Sequence, residues 1–258
     1  MSLNLETLGR GGSLVLLHGW GMNSAVWGGF AERLAENRRV ILIDLPGHGG
    51  SPFTEKRSLR EWADACLAVA PERAVWIGWS LGAQVALQVA LDQPERVQKL
   101  ISLAGTPRFV QGESWPHAMA DKTFGQFATS LKQDHRKTLE RFLALQVRGS
   151  DEARATLRAL KIRLMEKPDP QPTALETGLS LLKNVDLRED LAALQMPTLW
   201  LYGERDTLVP AAAADLLPAI LPQAEVHRIS GAAHAPFLSH QDETLALIET
   251  FLESSREQ

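Results

Sequence analysis

The pentapeptide Gly78-Trp79-Ser80-Leu81-Gly82 constrains this chain more than any other stretch. It follows a short apolar run, Ala74-Val75-Trp76-Ile77, and precedes a helical pattern from Ala83 to Leu91. A G-x-S-x-G spacing between a strand and a helix forces a turn so sharp that its serine occupies a strained backbone region. Glycine two places to either side removes the side chains that would clash. The serine hydroxyl is thereby lifted clear of the sheet, with a helix N-terminus beneath it to favour developing negative charge. The pentapeptide alone is common by chance, and the flanking strand and helix give it weight. Chemistry at Ser80 is the first expectation.

The rest of the chain alternates in the same way. Leu14–Leu17, Val40–Ile43, Leu100–Ala104, Thr198–Tyr202 and Glu225–Ile229 read as strands. Helical patterns fall at 24–36, at 59–70 and at the end, where Leu245, Ile248, Phe251 and Leu252 share a face. Continuous apolar strands separated by helices imply a mostly parallel sheet covered on both faces. The alternation stops between Pro107 and Asp190, where only helical patterns occur, broken by Pro168-Asp169-Pro170-Gln171-Pro172. The expected architecture is α/β, with a core of residues 1–106 and 191–258 and a helical cap at 107–190 inserted over the strand ends.

A net charge of −4 argues against general nucleic-acid binding. Cys66 is the only cysteine, so neither an intramolecular disulfide nor a cysteine-based metal site is available, and it reads as a small core residue. The start Met1-Ser2-Leu3-Asn4-Leu5-Glu6 lacks the basic and apolar regions of a secretory signal. No apolar run approaches the roughly 18 residues that span a bilayer. A cytoplasmic, monomeric enzyme without membrane contact is expected.

A serine needs a base, a group that orients the base, and donors for the oxyanion. In α/β-hydrolases these follow in the order serine, acid, histidine. The strand at 198–202 runs into Gly203-Glu204-Arg205-Asp206, and the last strand runs into Ser230-Gly231-Ala232-Ala233-His234. Asp206 and His234 therefore fall in loops on the sheet edge where Ser80 emerges, and complete a triad. Glu204 lies too early to replace Asp206. His227 lies inside a strand, His117 and His135 in the insertion, and His240 against the terminal helix; His18 and His48 shape loops near the site. The backbone N–H groups of Leu81 and of Trp20, in the turn His18-Gly19-Trp20-Gly21, are the candidate oxyanion donors. Trp79, Trp20 and Phe142 are candidates for lining the cleft, with core packing the alternative. No zinc, nucleotide or dinucleotide motif is present, so no metal or cofactor is called for.

Between Lys132 and Lys167 ten basic residues face five acidic ones, a net +5 that leaves −9 for the remainder. Lys137 with Arg141, and Arg154 with Arg158, are spaced to share helix faces. A solvated surface is the plain reading; a docking patch for an acidic partner or a phosphate is the functional one. The apolar run Phe142-Leu143-Ala144-Leu145-Gln146 follows Arg141 and can lie over the Ser80 cleft.

Together these residues resemble the pimeloyl-acyl-carrier-protein methyl ester esterases of biotin biosynthesis, nearly end to end. The likeness is close in Leu16–Gly21, Asp44–Gly47, Trp76–Gly82, Val185–Arg188 and Ala232–Phe237, and most specific in Glu140–Gln146. The resemblance implies hydrolysis of the methyl ester of a pimeloyl chain whose other end is linked to acyl carrier protein. It also implies substrate contacts at Trp20, Ser80, Leu81, Phe142, Leu143, Ala144, Leu145, Gln146 and His234. Lys137, Arg141, Arg154 and Arg158 match the cations that meet the carrier, with lysine at 137 where arginine is expected. Phe109–Phe127 is less family-like. A general esterase of small esters, a C–C bond hydrolase and a non-catalytic receptor remain the alternative readings.

Overall fold

The apolar runs become the inner strands of one sheet, in a computed structural model that describes residues 2–55 and 57–254. The strands are β1 (Leu5–Leu8), β2 (Ser13–Leu17), β3 (Arg39–Ile43), β4 (Ala74–Trp79), β5 (Val97–Leu103), β6 (Thr198–Gly203) and β7 (Glu225–Ile229). They lie in the order β1-β3-β2-β4-β5-β6-β7. Every pairing is parallel except β1 with β3. β4, the strand that carries Ser80, is buried along its whole length between β2 and β5.

Among the described residues ten α-helices accompany the sheet: α1 (Gly28–Ala35), α2 (Leu59–Leu67), α3 (Leu81–Asp92), α4 (Asp121–Gln133), α5 (His135–Gln146), α6 (Ala153–Leu164), α7 (Pro172–Asn184), α8 (Leu217–Ile220), α9 (Pro236–Ser239) and α10 (Gln241–Glu253). α3 packs on β2, β4 and β5 with α2 beside it, while α1 and α10 meet each other and contact β3 and β6. α2 starts at a capping box in which the Ser58 hydroxyl accepts the Glu61 N–H and the Glu61 carboxylate accepts the Ser58 N–H. Its Cys66 is buried. Helices α4 to α7 form the segment between β5 and β6, and the proline-rich break separates α6 from α7.

Two expectations need correction. β1 escaped notice because it is short and mostly exposed, so no apolar run marks it. The helix expected at 24–36 is two elements, a 3₁₀ turn at Ser24–Trp27 and then α1. They part at Gly28, whose φ is 32°, and the Arg163 guanidinium fills the space a side chain there would need. Among the described residues no helix is long and apolar enough to cross a membrane.

Candidate active site

Ser80 sits at φ 56° and ψ −117°, a conformation that costs a non-glycine residue about 1–3 kcal/mol. The surroundings enforce it. Its N–H donates to the Leu103 carbonyl at 3.0 Å, which ties the turn to β5. A Cβ on Gly78 would lie 2.4 Å from the Ala83 Cα, and one on Gly82 2.3 Å from the Leu17 carbonyl oxygen. Both glycines are therefore required by close backbone approach, as the turn spacing implies. The hydroxyl stands at the N-terminus of α3.

Asp206 and His234 come together from the ends of β6 and β7. Asp206 Oδ2 is 2.7 Å from His234 Nδ1, with both side chains buried. The other carboxylate oxygen accepts the N–H groups of Leu208 at 2.8 Å and Val209 at 3.0 Å, which fixes its orientation. The His234 N–H donates to the Gln146 carbonyl at 3.0 Å, and the Trp79 indole donates to the His234 carbonyl at 2.7 Å. His234 Nε2 is buried and has no hydrogen-bond partner among the described residues. Glu204 plays a different part from Asp206, accepting from the Ser230 hydroxyl and the Gly231 N–H, both at 3.0 Å, and so bracing the histidine loop.

The turn after β2 lies against this centre, since a Cβ on Gly19 would sit 3.3 Å from Ser80 Cβ. Trp20 and Leu81 are buried, and neither N–H has an acceptor among the described residues. Two buried histidines hold the turn. The His18 ring bonds the Gly19 carbonyl at 2.8 Å and accepts the Leu45 N–H at 3.0 Å. His48 Nε2 accepts the Gly21 N–H at 3.3 Å, and its Nδ1 bonds the Pro46 carbonyl at 2.9 Å. Burial pushes His18 down to about 4 and His48 down to about 3, so both are neutral near pH 7. Asp44, beneath them, stays well below the usual carboxylate range. Burial opposes its charge, but the His18 ring, the Ser24 and Gly50 N–H groups and the Asn4 amide outweigh that. Lys167, from the break between α6 and α7, reaches Asp44 Oδ2 at 3.1 Å.

α5 lies over the site. Phe142 meets Trp20 edge-on with ring centroids 4.9 Å apart, and Phe127 meets Trp20 at 5.5 Å. These two phenylalanines, with Phe109, Phe124, Leu145 and Leu208, line an apolar cavity of about 90 Å³. Leu208 connects it to the Asp206 loop. Phe109, Phe124 and Phe127 lie in the less family-like stretch, and the sequence offers no sign of their role. Leu179 and Leu182 of α7 also line the cavity, and their spacing three apart was the available signal. A larger groove of about 600 Å³ opens between α5, α6 and the proline-rich break and reaches Gly21, but none of Ser80, Asp206 and His234 lines it.

Trp79 lines neither cavity. It is fully buried between Trp27 and Phe237 and supports the His234 loop from behind. Of the run 142–146, Phe142, Leu143 and Gln146 are buried, Leu145 is half-buried and Ala144 is exposed. The helical twist turns Ala144 to the outer side, away from the contacts expected of it. Lys137, Arg141, Arg154 and Arg158 are exposed, and none forms a salt bridge among the described residues. Two other cations of the basic segment turn inward, Lys167 to Asp44 and Arg163 to Gly28. Among the described residues no three His, Cys, Asp or Glu side chains cluster as a metal site requires.

A family profile described as alpha/beta hydrolase fold matches residues 12–241. The pimeloyl-[acyl-carrier protein] methyl ester esterase of Aeromonas hydrophila is 45% identical over 254 residues, covering 98% of this chain and 100% of that protein. The protein of the same name from Xanthomonas oryzae pv. oryzae is 44% identical over 252 residues, covering 98% and 99%. Among solved structures, an esterase from Exiguobacterium antarcticum superposes with a TM-score of 0.88 at 22% identity, over 98% of this chain and 96% of that one, which speaks to the fold. Relatives this similar along the whole length mean that the chain belongs to the pimeloyl-[acyl-carrier protein] methyl ester esterases, within the α/β-hydrolase fold family.

Proposed function

We propose that the protein hydrolyses the methyl ester of a pimeloyl chain carried on acyl carrier protein, in the cytoplasm, releasing methanol and the carrier-linked acid. The supporting observation is the two-sided use of α5. Its outer side presents Lys137 and Arg141, while Phe142 and Gln146 face inward onto Trp20 and the His234 backbone. Residues 107–190 act as a cap whose exposed cations, Arg154 and Arg158 included, receive the acidic surface of the carrier.

Ser80 Oγ attacks the ester carbonyl as His234 Nε2 takes its proton, and Asp206 stabilises the imidazolium. The Trp20 and Leu81 N–H groups bind the oxyanion. His234 then protonates the departing methanol, and water activated by the same imidazole releases the acid from Ser80. Phe142, Leu143, Leu145 and the cavity beside them border the acyl chain. Docking on the cap places the distal ester, and not the thioester, at Ser80, so selectivity comes from positioning. Small esters that reach Ser80 are also turned over.

The test is growth without biotin in a bacterial strain lacking its own pimeloyl methyl ester esterase. The wild-type chain is expected to restore growth and Ser80→Ala to fail. A folded, expressed wild-type protein that hydrolyses p-nitrophenyl butyrate yet gives no growth would leave a general esterase and overturn the substrate assignment.

A further inference from the structure

Gln146 ends α5, and two contacts place it. Its carbonyl accepts the His234 N–H at 3.0 Å. One turn earlier, Phe142 meets Trp20 with ring centroids 4.9 Å apart. Positions four apart share a helix face, so the inner side of α5 runs from the Trp20 loop, whose Gly19 abuts Ser80, to the His234 loop. Gln146 is 1% exposed, and neither polar atom of its side chain has a hydrogen-bond partner among the described residues. His234 Nε2 is buried and unpartnered in the same way. An unpaired buried amide is costly enough that it calls for a ligand.

In the first half-reaction the contact implied for Gln146 is with the acyl chain, and the scissile ester has no hydrogen-bonding group left for its amide. The ester carbonyl oxygen belongs to the Trp20 and Leu81 N–H groups, the alkoxy oxygen to the His234 proton, and the chain beyond the carbonyl is polymethylene. The second half-reaction brings one new polar molecule, water, to the place methanol has left. We propose that the Gln146 amide oxygen binds this water and selects it over methanol. The inference rests on the serine-esterase reading of the site.

Water donates one hydrogen to His234 Nε2 and the other to the Gln146 oxygen, which aims a lone pair at the acyl carbonyl. The new C–O bond forms as His234 takes its proton. The tetrahedral intermediate then collapses with cleavage of the bond to Ser80 Oγ, and His234 returns the proton to that oxygen. Methanol has a single O–H, which His234 takes, so it gains nothing from Gln146. The amide thus biases the acyl-enzyme toward hydrolysis and against return to the ester.

The experiment follows p-nitrophenyl butyrate in buffer containing methanol and measures butyric acid against methyl butyrate. Gln146→Met keeps the volume and removes the acceptor. The ratio of acid to methyl ester is expected to fall about ten-fold, the worth of one neutral hydrogen bond. A nitrophenolate burst and a butyryl adduct on Ser80 are expected to accompany it, because acylation is spared and hydrolysis slowed. The ratio is set within each acyl-enzyme, so it does not depend on the fraction of protein that is folded. Gln146→Leu serves as the second variant. A wild-type ratio in both variants overturns the role of Gln146. Undiminished turnover in Ser80→Ala, with no butyryl-Ser80 in the wild type, would instead remove the esterase reading beneath it.

Discussion

Asp206 holds His234 through one carboxylate oxygen and its own loop through the other: Oδ2 meets Nδ1 at 2.7 Å, and Oδ1 accepts from Leu208 and Val209. This division of labour decides what Asp206→Asn does. The asparagine oxygen stays on the two N–H groups, so its NH₂ faces His234 Nδ1 and forces the proton to Nε2. The imidazole is then the wrong tautomer to accept the Ser80 proton. A loss of about 10⁴ in kcat on p-nitrophenyl butyrate is expected, with the thermal midpoint almost unchanged because the loop bonds survive. Retention of a tenth of wild-type turnover would contradict the role assigned to Asp206.

The exposed cations make a separate prediction. Arg141→Glu combined with Arg158→Glu leaves Phe142, Ser80, Asp206 and His234 in place and reverses two charges on the exposed side of the helical segment. Turnover of a carrier-linked methyl ester is expected to fall by one to two orders of magnitude, an order-of-magnitude estimate for charge reversal at a docking face. The loss should appear in kcat/KM, and the wild-type rate itself should decline as salt rises. p-Nitrophenyl butyrate hydrolysis should hold within about two-fold, because surface charges far from a small ester act weakly. Equal losses on both substrates would show that the pair supports the fold rather than the carrier.

Residues placed by local backbone geometry were legible in the sequence. Gly78 and Gly82 announce the turn at Ser80 because any side chain there would strike backbone, and Asp206 and His234 follow strands that end in recognisable loops. Residues whose roles arise only from packing were not. Trp79 looked like a cleft residue by its place beside Ser80, but strand alternation turns it to the core, onto Phe237 and behind His234. Phe127 reaches Trp20 from a helix that begins 101 positions later in the chain, at Asp121, and no periodicity reports such a contact. The ten cations of the basic segment read alike, yet Lys167 pairs with Asp44 and Arg163 packs on Gly28, while Lys137 and Arg141 face solvent.

The two buried histidines predict acid sensitivity. Unfolded, each imidazole takes up a proton below pH 6.5; folded, His18 resists until about 4 and His48 until about 3. The unfolded chain therefore binds more protons through that window. Stability falls with acid by up to about 1.4 kcal/mol per pH unit for each ring. Above pH 6.5 neither contributes a slope. Asp44, held below its ordinary value, adds a loss in the same direction at still lower pH. Urea midpoints at pH 7.5 and 5.0 measure this. His48→Gln is expected to be less stable at pH 7.5 but to show a shallower decline; an unchanged slope would mean that His48 is not the neutral group the turn requires.

Lys167 ties the helical segment to the loops around the site, and its partner sets the size of the effect. Asp44 is fully buried, with three N–H donors besides the Lys167 ammonium. In Lys167→Met the aliphatic stem still packs, and those donors keep Asp44 ionised, so the loss is expected to be about 1.5–3 kcal/mol, the range of a hydrogen bond to a charged group. Asp44→Ala strands the three donors and leaves the part-buried ammonium only the Ser24 hydroxyl, and about 3–5 kcal/mol is expected. Combining the two should cost less than the sum of the separate losses, because the ammonium is no longer there to lose its charged partner. Urea denaturation of the two single variants and the double variant gives the coupling directly. A coupling near zero would mean that Lys167 rests on the loop without binding it.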